Sequence, residues 1–312
     1  MYMEEKLVSV VIITYNSAQY VEETLESAKS QTYQNIELII ADDCSTDNTI
    51  SICEKWLELN CQRFVRTELL ITKKNTGVSA NCNRGLHASN GEWLKFIAGD
   101  DVLLNDCIEN YMNFVATTKS RFIFGLPSIL LKSNNYDLKM QMETFYSDSE
   151  RFFSFSPQKQ FKHLLLNQIS VCPPTLFFHR NSMTEINGFD EKYACEDLPL
   201  FLCATHKGHQ LTLLKKKTVC YRIHENQLSI KGKNGLINEY WFYEQLRIKR
   251  KYFTLKYIFC NPLLYFEYFV QIFSKTIILK TGNKKSSFIL IKFLRFFKRS
   301  ISFSYIIKEN KF

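Results

Sequence analysis

Among the adjacent acidic residues in the first 200 residues of this 312-residue chain, three pairs could carry chemistry: Asp42-Asp43, Asp100-Asp101 and Glu196-Asp197. Paired carboxylates do three kinds of chemistry in proteins. They hold hard divalent cations, they accept hydrogen bonds from a bound ligand, and they take protons as general bases. The residues around each pair indicate which of these roles it fits.

Asp100 and Asp101 follow Gly99 at the end of an apolar run, with no basic residue next to them. Two adjacent negative charges are unfavourable unless they are solvated or bind a cation. Mg²⁺ or Mn²⁺ suits such oxygen ligands and completes its shell with phosphate oxygens. The pair therefore fits a metal ion that bridges a diphosphate and stabilises it as a leaving group. A turn with two solvated acids is the competing interpretation.

The other two pairs have equally direct interpretations. Asp42-Asp43 ends an apolar run and fits an acceptor for a base N–H or a ribose hydroxyl. A helix-capping acid is the alternative there, although Asp47 is better placed to cap the next helix. Glu196-Asp197 fits a general base for a hydroxyl acceptor, or simply an acid at a helix N-terminus.

A fourth cluster, Tyr221-Arg222-Ile223-His224, lies near the end of the acid-containing region. His224 fits a metal ligand or a diphosphate contact, and Arg222 fits a phosphate partner. A surface histidine beside a turn explains the same residues.

Short apolar runs that alternate with helical stretches must position these side chains, and the pattern predicts an α/β fold with parallel strands. Ligands in such sheets bind beyond the carboxyl ends of the strands, where the first two acid pairs fall. Thr218–His224 alternates like an edge strand, and residues 132–160 are expected to form loops over the site. The predicted buried strands are Leu7–Ile13, Ile36–Ala41, Leu69–Thr72 and Trp93–Ala98.

Six motifs in fixed order resemble the family 2 glycosyltransferases, which have the GT-A fold and include enzymes of bacterial polysaccharide assembly. The likeness covers residues 7–226, roughly seventy per cent of the chain. It implies a Rossmann-like, mostly parallel central sheet flanked by helices, with a C-terminal helical extension. The motifs are VSVVIITYN (Val8–Asn16), SQTYQNIELIIADDCSTDNT (Ser30–Thr49), NTGVSANCNRG (Asn75–Gly85), GEWLKFIAGDD (Gly91–Asp101), NGFDEKYACED (Asn187–Asp197) and YRIH (Tyr221–His224).

The resemblance implies an inverting enzyme that moves a sugar from a nucleotide-diphosphate sugar, of which a UDP-sugar is the first expectation, to a hydroxyl of a saccharide or lipid-linked saccharide. Divalent Mn²⁺ or Mg²⁺ is the implied cofactor. The chain departs from the family where Ala98-Gly99 precede the acids in place of a further Asp, and where Cys44 replaces the usual Gly. By position, the resemblance assigns donor binding to Ile13, Tyr15, Asp43, Arg84 and Asp100, metal binding to Asp101 and His224, and base catalysis to Asp197 with Glu196 beside it.

Charge divides the chain into two parts. Residues 231–312 hold 17 of the 40 Lys and Arg but four of the 31 acids, so this tail carries +13 and residues 1–230 carry −4. We therefore expect a catalytic domain over residues 1–230 and a basic, aromatic, helical tail over 231–312. Within the domain, the nucleotide-sugar half is expected at about 1–101 and the acceptor half at about 102–230.

The tail segment Phe288–Ile301 places four basic residues among apolar ones, at the spacing of an amphipathic interfacial helix. We expect it to contact an anionic membrane surface, which suits a polyprenyl-diphosphate-linked acceptor; a helix packed on the domain is the alternative. Nucleic acid is not an expected partner. The charged Met1–Lys6 and the short run Leu7–Ile13 do not resemble a secretory signal, so we expect a cytoplasmic protein, peripheral on the inner face of the plasma membrane.

Two other functions fit parts of the pattern. A metal-dependent phosphatase or nucleotide hydrolase also uses acid clusters on an open sheet, but neither of the first two pairs shows the nucleophile pattern DxDx[TV]. A non-catalytic, membrane-associated scaffold would not need the intact acid pairs.

Overall fold

The computed structural model describes residues 6–130, 149–166, 171–224, 239–252, 269–270 and 273. Within them the first half of the chain alternates strands with helices, as the apolar runs predict. The strands are β1 (Val8–Thr14), β2 (Ile36–Asp42), β3 (Arg66–Ile71) and β4 (Trp93–Ala98), and the helices between them are α1 (Val21–Lys29), α2 (Thr49–Asn60) and α3 (Val78–Ala88).

These four strands are parallel and lie in the order β3-β2-β1-β4. Every residue of β2 is buried, as expected for a strand covered on both faces. Residue Thr14 of β1 is level with Asp42 of β2, and Ile13 is level with Ala98 of β4. The carboxyl ends of β2 and β4 therefore lie on either side of the end of β1.

Residues 102–222 extend the same sheet, which has eight strands among the described residues, in the order β3-β2-β1-β4-β7-β6-β8-β5. Strand β7 is antiparallel to β4 and β6, whereas β8 is parallel to β6. The expected edge strand Thr218–His224 is wrong in both extent and place, because β8 begins at Leu211 and lies between β6 and β5. The added strands are β5 (Val102–Leu103), β6 (Phe122–Leu130), β7 (Leu176–His179) and β8 (Leu211–Arg222).

Helix α3 packs closely on β1, and a glycine permits this approach. A Cβ atom added at Gly85 would overlap Val11 Cγ1 of β1. The start of α2 is held differently from the expectation that Asp47 caps it. The cap position is Asn48, and the Asp47 carboxylate accepts hydrogen bonds from Thr49 N (3.0 Å) and Ala18 N (3.1 Å). Asp47 thus ties α2 to the loop that follows β1.

Further α-helices are α4 (Cys107–Thr117), α5 (Pro157–Leu166), α6 (Arg180–Ile186), α7 (Asp197–His206) and α8 (Glu239–Arg250). The chain divides into two compact units, Met1–Leu164 with Gln168–Ile223 and Leu165–Asn167 with His224–Phe312. Helix α8 belongs to the second unit and contains an ion pair between Arg247 and Glu244 (2.8 Å). The predicted basic helix Phe288–Ile301 and residues 132–148 of the predicted loops lie outside the described residues. The loop prediction is wrong for residues 157–160, which begin helix α5.

No helix among the described residues combines the length and apolar character needed to cross a bilayer.

Candidate active site

The first two acid pairs lie at the same edge of the sheet, on either side of β1. The amide of Asp43 donates to Thr14 O (3.0 Å), and the amide of Gly99 donates to Ile13 O (2.9 Å). Adjacent strands are about 4.8 Å apart, so the two pairs are on the order of 10 Å from each other. This is the edge at which parallel sheets bind ligands.

Asp43 is 3% exposed and is held by the loop that leads into α3. Its carboxylate accepts hydrogen bonds from Thr76 N (3.0 Å), Thr76 Oγ1 (2.8 Å) and Gly77 N (2.7 Å). Burial raises the pKa of Asp43, but these bonds and the Arg84 guanidinium outweigh it and lower the pKa below its ordinary value. Asp43 is therefore a fixed, charged acceptor.

Arg84 lies on α3 and contacts Asp43 directly. Its Nη2 atom donates to Asp43 Oδ1 (2.6 Å) and Asn81 Oδ1 (2.8 Å), and its Nη1 atom donates to Thr76 Oγ1 (2.7 Å). The guanidinium thus orders the Asp43 loop. Its approach to a diphosphate, which the resemblance implies, remains a prediction.

Two further predicted donor-binding residues lie at the end of β1. Ile13 is the penultimate residue of the strand and is partly buried. Tyr15 follows the strand directly and is 50% exposed, so its ring is open to a planar ligand. Asn16 has a positive φ of 51°, and its side chain accepts a bond from Thr46 N (2.8 Å). This turn fixes the backbone beside Tyr15.

Asp101 is 1% exposed, and its Oδ1 atom accepts a hydrogen bond from Arg222 N (2.8 Å) at the end of β8. Burial and the charge of the half-buried Asp100 raise the pKa of Asp101 to about 8. Arg222 donates from Nε to Asp100 O (2.7 Å), pairs with Glu23, and places its guanidinium 4.6 Å from the centre of the Tyr20 ring. Arg222, considered above as a phosphate partner, therefore holds the loop of Asp100 and Asp101 against α1.

Asp100 and Asp101 fit a hard divalent cation. Both offer oxygen ligands, and the repulsion that contributes to the raised pKa of Asp101 is what a cation would relieve. Among the described residues, no three His, Cys, Asp or Glu side chains are grouped to hold a metal ion. Predicted ligand His224 lies two residues beyond β8, in the second compact unit.

The third acid pair lies at the start of α7, where Asp197 Oδ1 accepts a bond from Leu198 N (2.5 Å). Burial and the charge of Asp197 raise the pKa of Glu196, and burial raises the pKa of Asp197. The buried Cys82 thiol of α3 is within electrostatic reach of Glu196, Arg84 and Asp43. Helix α3 thus brings the third pair towards the Asp43 loop.

Sequence reasoning missed the polar residues that hold these acids. Thr76 binds Asp43, and Asn83 of α3 binds the segment that leads to Asp197. The fully buried Lys95 lies within electrostatic reach of Asp101, and burial lowers the pKa of Lys95 to about 8. The lysine in a buried strand and the NTG sequence before a helix mark Lys95 and Thr76 as unusual residues, but nothing in the sequence shows which acid each of them lies near.

The chain is similar in sequence to bacterial glycosyltransferases. An uncharacterized glycosyltransferase of Haemophilus influenzae is 35% identical to this chain over the aligned region. That region covers 36% of this chain and 44% of the relative's length. The glucosyltransferase WfaP of Escherichia coli, which is described as UDP-Glc:alpha-D-GlcNAc-diphosphoundecaprenol beta-1,3-glucosyltransferase, is 29% identical over 75% of this chain and 84% of its own.

Solved structures share the fold. TarS 1–349 of S. aureus in complex with UDP superposes with a TM-score of 0.56 at 19% identity. The match covers 78% of this chain and 64% of that TarS fragment. The mannosyltransferase PcManGT from Pyrobaculum calidifontis, in complex with GDP-Man and Mn²⁺, superposes with a TM-score of 0.53 at 16% identity. The match covers 95% of this chain and 70% of PcManGT. These matches confirm the predicted GT-A type of α/β fold. The sequence profile of Glycosyl transferase family 2 matches residues 9–186, more than half of the chain, and the chain therefore belongs to that family.

Proposed function

We propose that this protein is an inverting glycosyltransferase that moves a sugar from a nucleotide-diphosphate sugar to a hydroxyl group of a saccharide or lipid-linked saccharide. The observation that carries the proposal is the placement of two acid pairs on either side of β1, at the ligand-binding edge of the sheet. UDP is the favoured nucleotide, since TarS binds UDP and the WfaP name specifies UDP-Glc.

The donor's nucleotide lies against the end of β1 in this proposal. The fixed carboxylate of Asp43 accepts a hydrogen bond from the base, and the exposed ring of Tyr15 stacks on it. Ile13 contributes an apolar contact, and Arg84 keeps Asp43 charged and in place. These residues bind and orient the donor before transfer.

Asp100 and Asp101 would hold the divalent ion, Mn²⁺ or Mg²⁺. When bound, the ion supplies positive charge that stabilises the departing diphosphate. Two protein carboxylates leave most ligand positions to phosphate oxygens and water, which is typical of such ions. The Mn²⁺ bound to PcManGT supports the use of a divalent ion.

Asp197, with Glu196 beside it, takes the proton from the acceptor hydroxyl as that oxygen attacks the sugar. Inversion requires the base and the leaving group on opposite faces of the reacting carbon, as in inverting glycosidases. The raised pKa of both carboxyl groups makes them stronger bases than ordinary carboxylates.

The acceptor proposed here is a polyprenyl-diphosphate-linked saccharide of bacterial polysaccharide assembly, such as a capsule or O-antigen unit. The diphosphoundecaprenol in the WfaP name supports this class. The +13 tail would then bring the enzyme to the inner face of the plasma membrane, where such acceptors lie.

The test is a panel of UDP-, GDP- and dTDP-sugars, incubated with Mn²⁺ and a lipid-diphosphate saccharide acceptor. We expect one donor to give a glycosylated product whose anomeric configuration, measured by NMR, is inverted. Asp197→Asn should bind that donor and lose transfer. Steady phosphate release without a glycosylated product would instead favour the phosphatase, and binding to no nucleotide sugar would favour the scaffold.

A further inference from the structure

One side chain of α3 holds the backbone of the segment that leads to the third acid pair. Asn83 Oδ1 accepts a hydrogen bond from Phe189 N (2.9 Å), and Asn83 Nδ2 donates to Phe189 O (2.9 Å). The second Nδ2 hydrogen is directed to Glu191 Oε1 (2.7 Å). A single amide thus pairs with both backbone groups of Phe189, as a neighbouring strand would.

The contact depends on a glycine. Gly188 has a φ of +70°, and a Cβ atom added there would lie 2.7 Å from Asn83 Oδ1. The segment is held at two further points: Ser79 Oγ donates to Tyr193 O (3.3 Å), and the buried ring of Phe189 packs 5.5 Å from that of Phe96. Four residues after Tyr193 the chain reaches Asp197 and begins α7.

The next residue of α3 binds the other acid-bearing segment of the site. Arg84 holds Asp43, as described above, so adjacent residues of one helix bind the two acid-bearing segments. We propose that Asn83 is a positioning residue, which fixes the segment Asn187–Asp197, and with it the carboxylates of Glu196 and Asp197, relative to the Asp43 loop. The inference rests on the proposed transfer reaction.

The first test is Asn83→Ala, assayed for transfer with the donor that the wild-type enzyme uses. We expect kcat to fall about 10- to 100-fold, because a small displacement of a catalytic group has effects of this size. The Kd for UDP in the presence of Mn²⁺ should change less than threefold, since the Asp43 loop is retained. Asn110→Ala is the control: it removes another buried amide, 6% exposed, whose side chain binds Lys216.

The pH profile separates positioning from a general loss of folded enzyme. Loosening the segment exposes the acid pair to water, which lowers the raised pKa of both carboxyl groups. The acid limb of the pH profile, where kcat falls with falling pH, should therefore move to lower pH in Asn83→Ala. A variant that is merely less folded would have a lower kcat at every pH, but its kcat would fall at the same pH as that of the wild-type enzyme. An unchanged kcat and limb in Asn83→Ala would overturn the proposal.

Gly188→Ala gives a second route to the same displacement. It should lower kcat, and combining it with Asn83→Ala should lower kcat less than the product of the two single effects, since the clashing Oδ1 atom is then gone. Multiplicative effects would contradict a direct contact.

Hydrogen exchange tests the contact without any activity. Asn83→Ala should remove the protection of the Phe189 amide and leave the strand amides of β1 protected. If protection is lost while the wild-type protein transfers no sugar, the proposed function fails and the contact stands. If wild-type transfer is found but Asn83→Ala keeps full kcat and full protection, the positioning role fails alone.

Discussion

Individual carboxyl groups in this protein are tuned in opposite directions by their surroundings. Hydrogen bonds and Arg84 outweigh burial at Asp43 and lower its pKa, which keeps it a charged acceptor. Burial raises the pKa of Asp197, and burial together with the charge of Asp197 raises the pKa of Glu196. The first environment suits binding and the second suits a proton acceptor.

This contrast predicts the pH dependence of transfer. Since the base must be deprotonated and its pKa is raised, activity should be lost with falling pH well above 4, the ordinary range of a carboxyl group. The measurement is kcat/KM against pH at fixed Mn²⁺, and a wild-type limb near pH 4 would contradict the assignment.

At this scale the sequence identified which acids matter but not what holds them. Asp43 and Asp101 could be predicted because each follows a buried strand. Thr76, Asn83 and the contacts made by Arg222 could not, because their partners lie 33 to 122 residues away in the chain. Only the packed fold brings such residues into contact.

Among the elements, α3 has the largest effect on the site, because it contacts the Asp43 loop and the segment before α7. Its packing against β1 depends on Gly85. The predicted strands of the first half are each found within a few residues, since their apolar runs are distinct. The order of strands in the second half could not be predicted, because β8 pairs with β5 and β6, which lie about 80 to 120 residues earlier.

Gly85→Ala tests this packing. Alanine favours a helix over glycine by about 1 kcal/mol, but here the added methyl group overlaps Val11 Cγ1. We expect a net loss of about 1–3 kcal/mol in the free energy of unfolding, measured with urea. Val11→Ala alone is the control, and its combination with Gly85→Ala should cost less than the sum of the two. A stabilised Gly85→Ala protein would refute the tight contact.

For the whole molecule, charge separates the domain from the tail. The acidic domain has the family's fold, whereas the +13 of residues 231–312 fits an anionic surface. This division is a prediction from the composition. The composition did not supply the acceptor or the sugar, because these depend on the shapes of loops.

Vesicle binding tests the role of the tail. The full chain should sediment with vesicles that contain anionic lipid and much less with neutral ones, and the binding should weaken with salt. Replacing the basic residues of the tail segment with Gln should weaken binding at least tenfold, at about 1 kcal/mol per charge. Equal binding by the substituted chain would exclude the segment as the contact. The four substitutions are Lys292→Gln, Arg295→Gln, Lys298→Gln and Arg299→Gln.

The most direct test of the central claim, that the carboxyl edge of the sheet binds a nucleoside diphosphate together with a divalent ion, is calorimetry of UDP with and without Mn²⁺. We expect Mn²⁺ to tighten wild-type binding at least tenfold. Asp43→Asn should weaken binding in both conditions, whereas Asp100→Asn and Asp101→Asn should remove only the gain from Mn²⁺. The exposed Asp106→Asn is the control. UDP affinity that is independent of Mn²⁺ and unchanged in all of these variants would contradict the account.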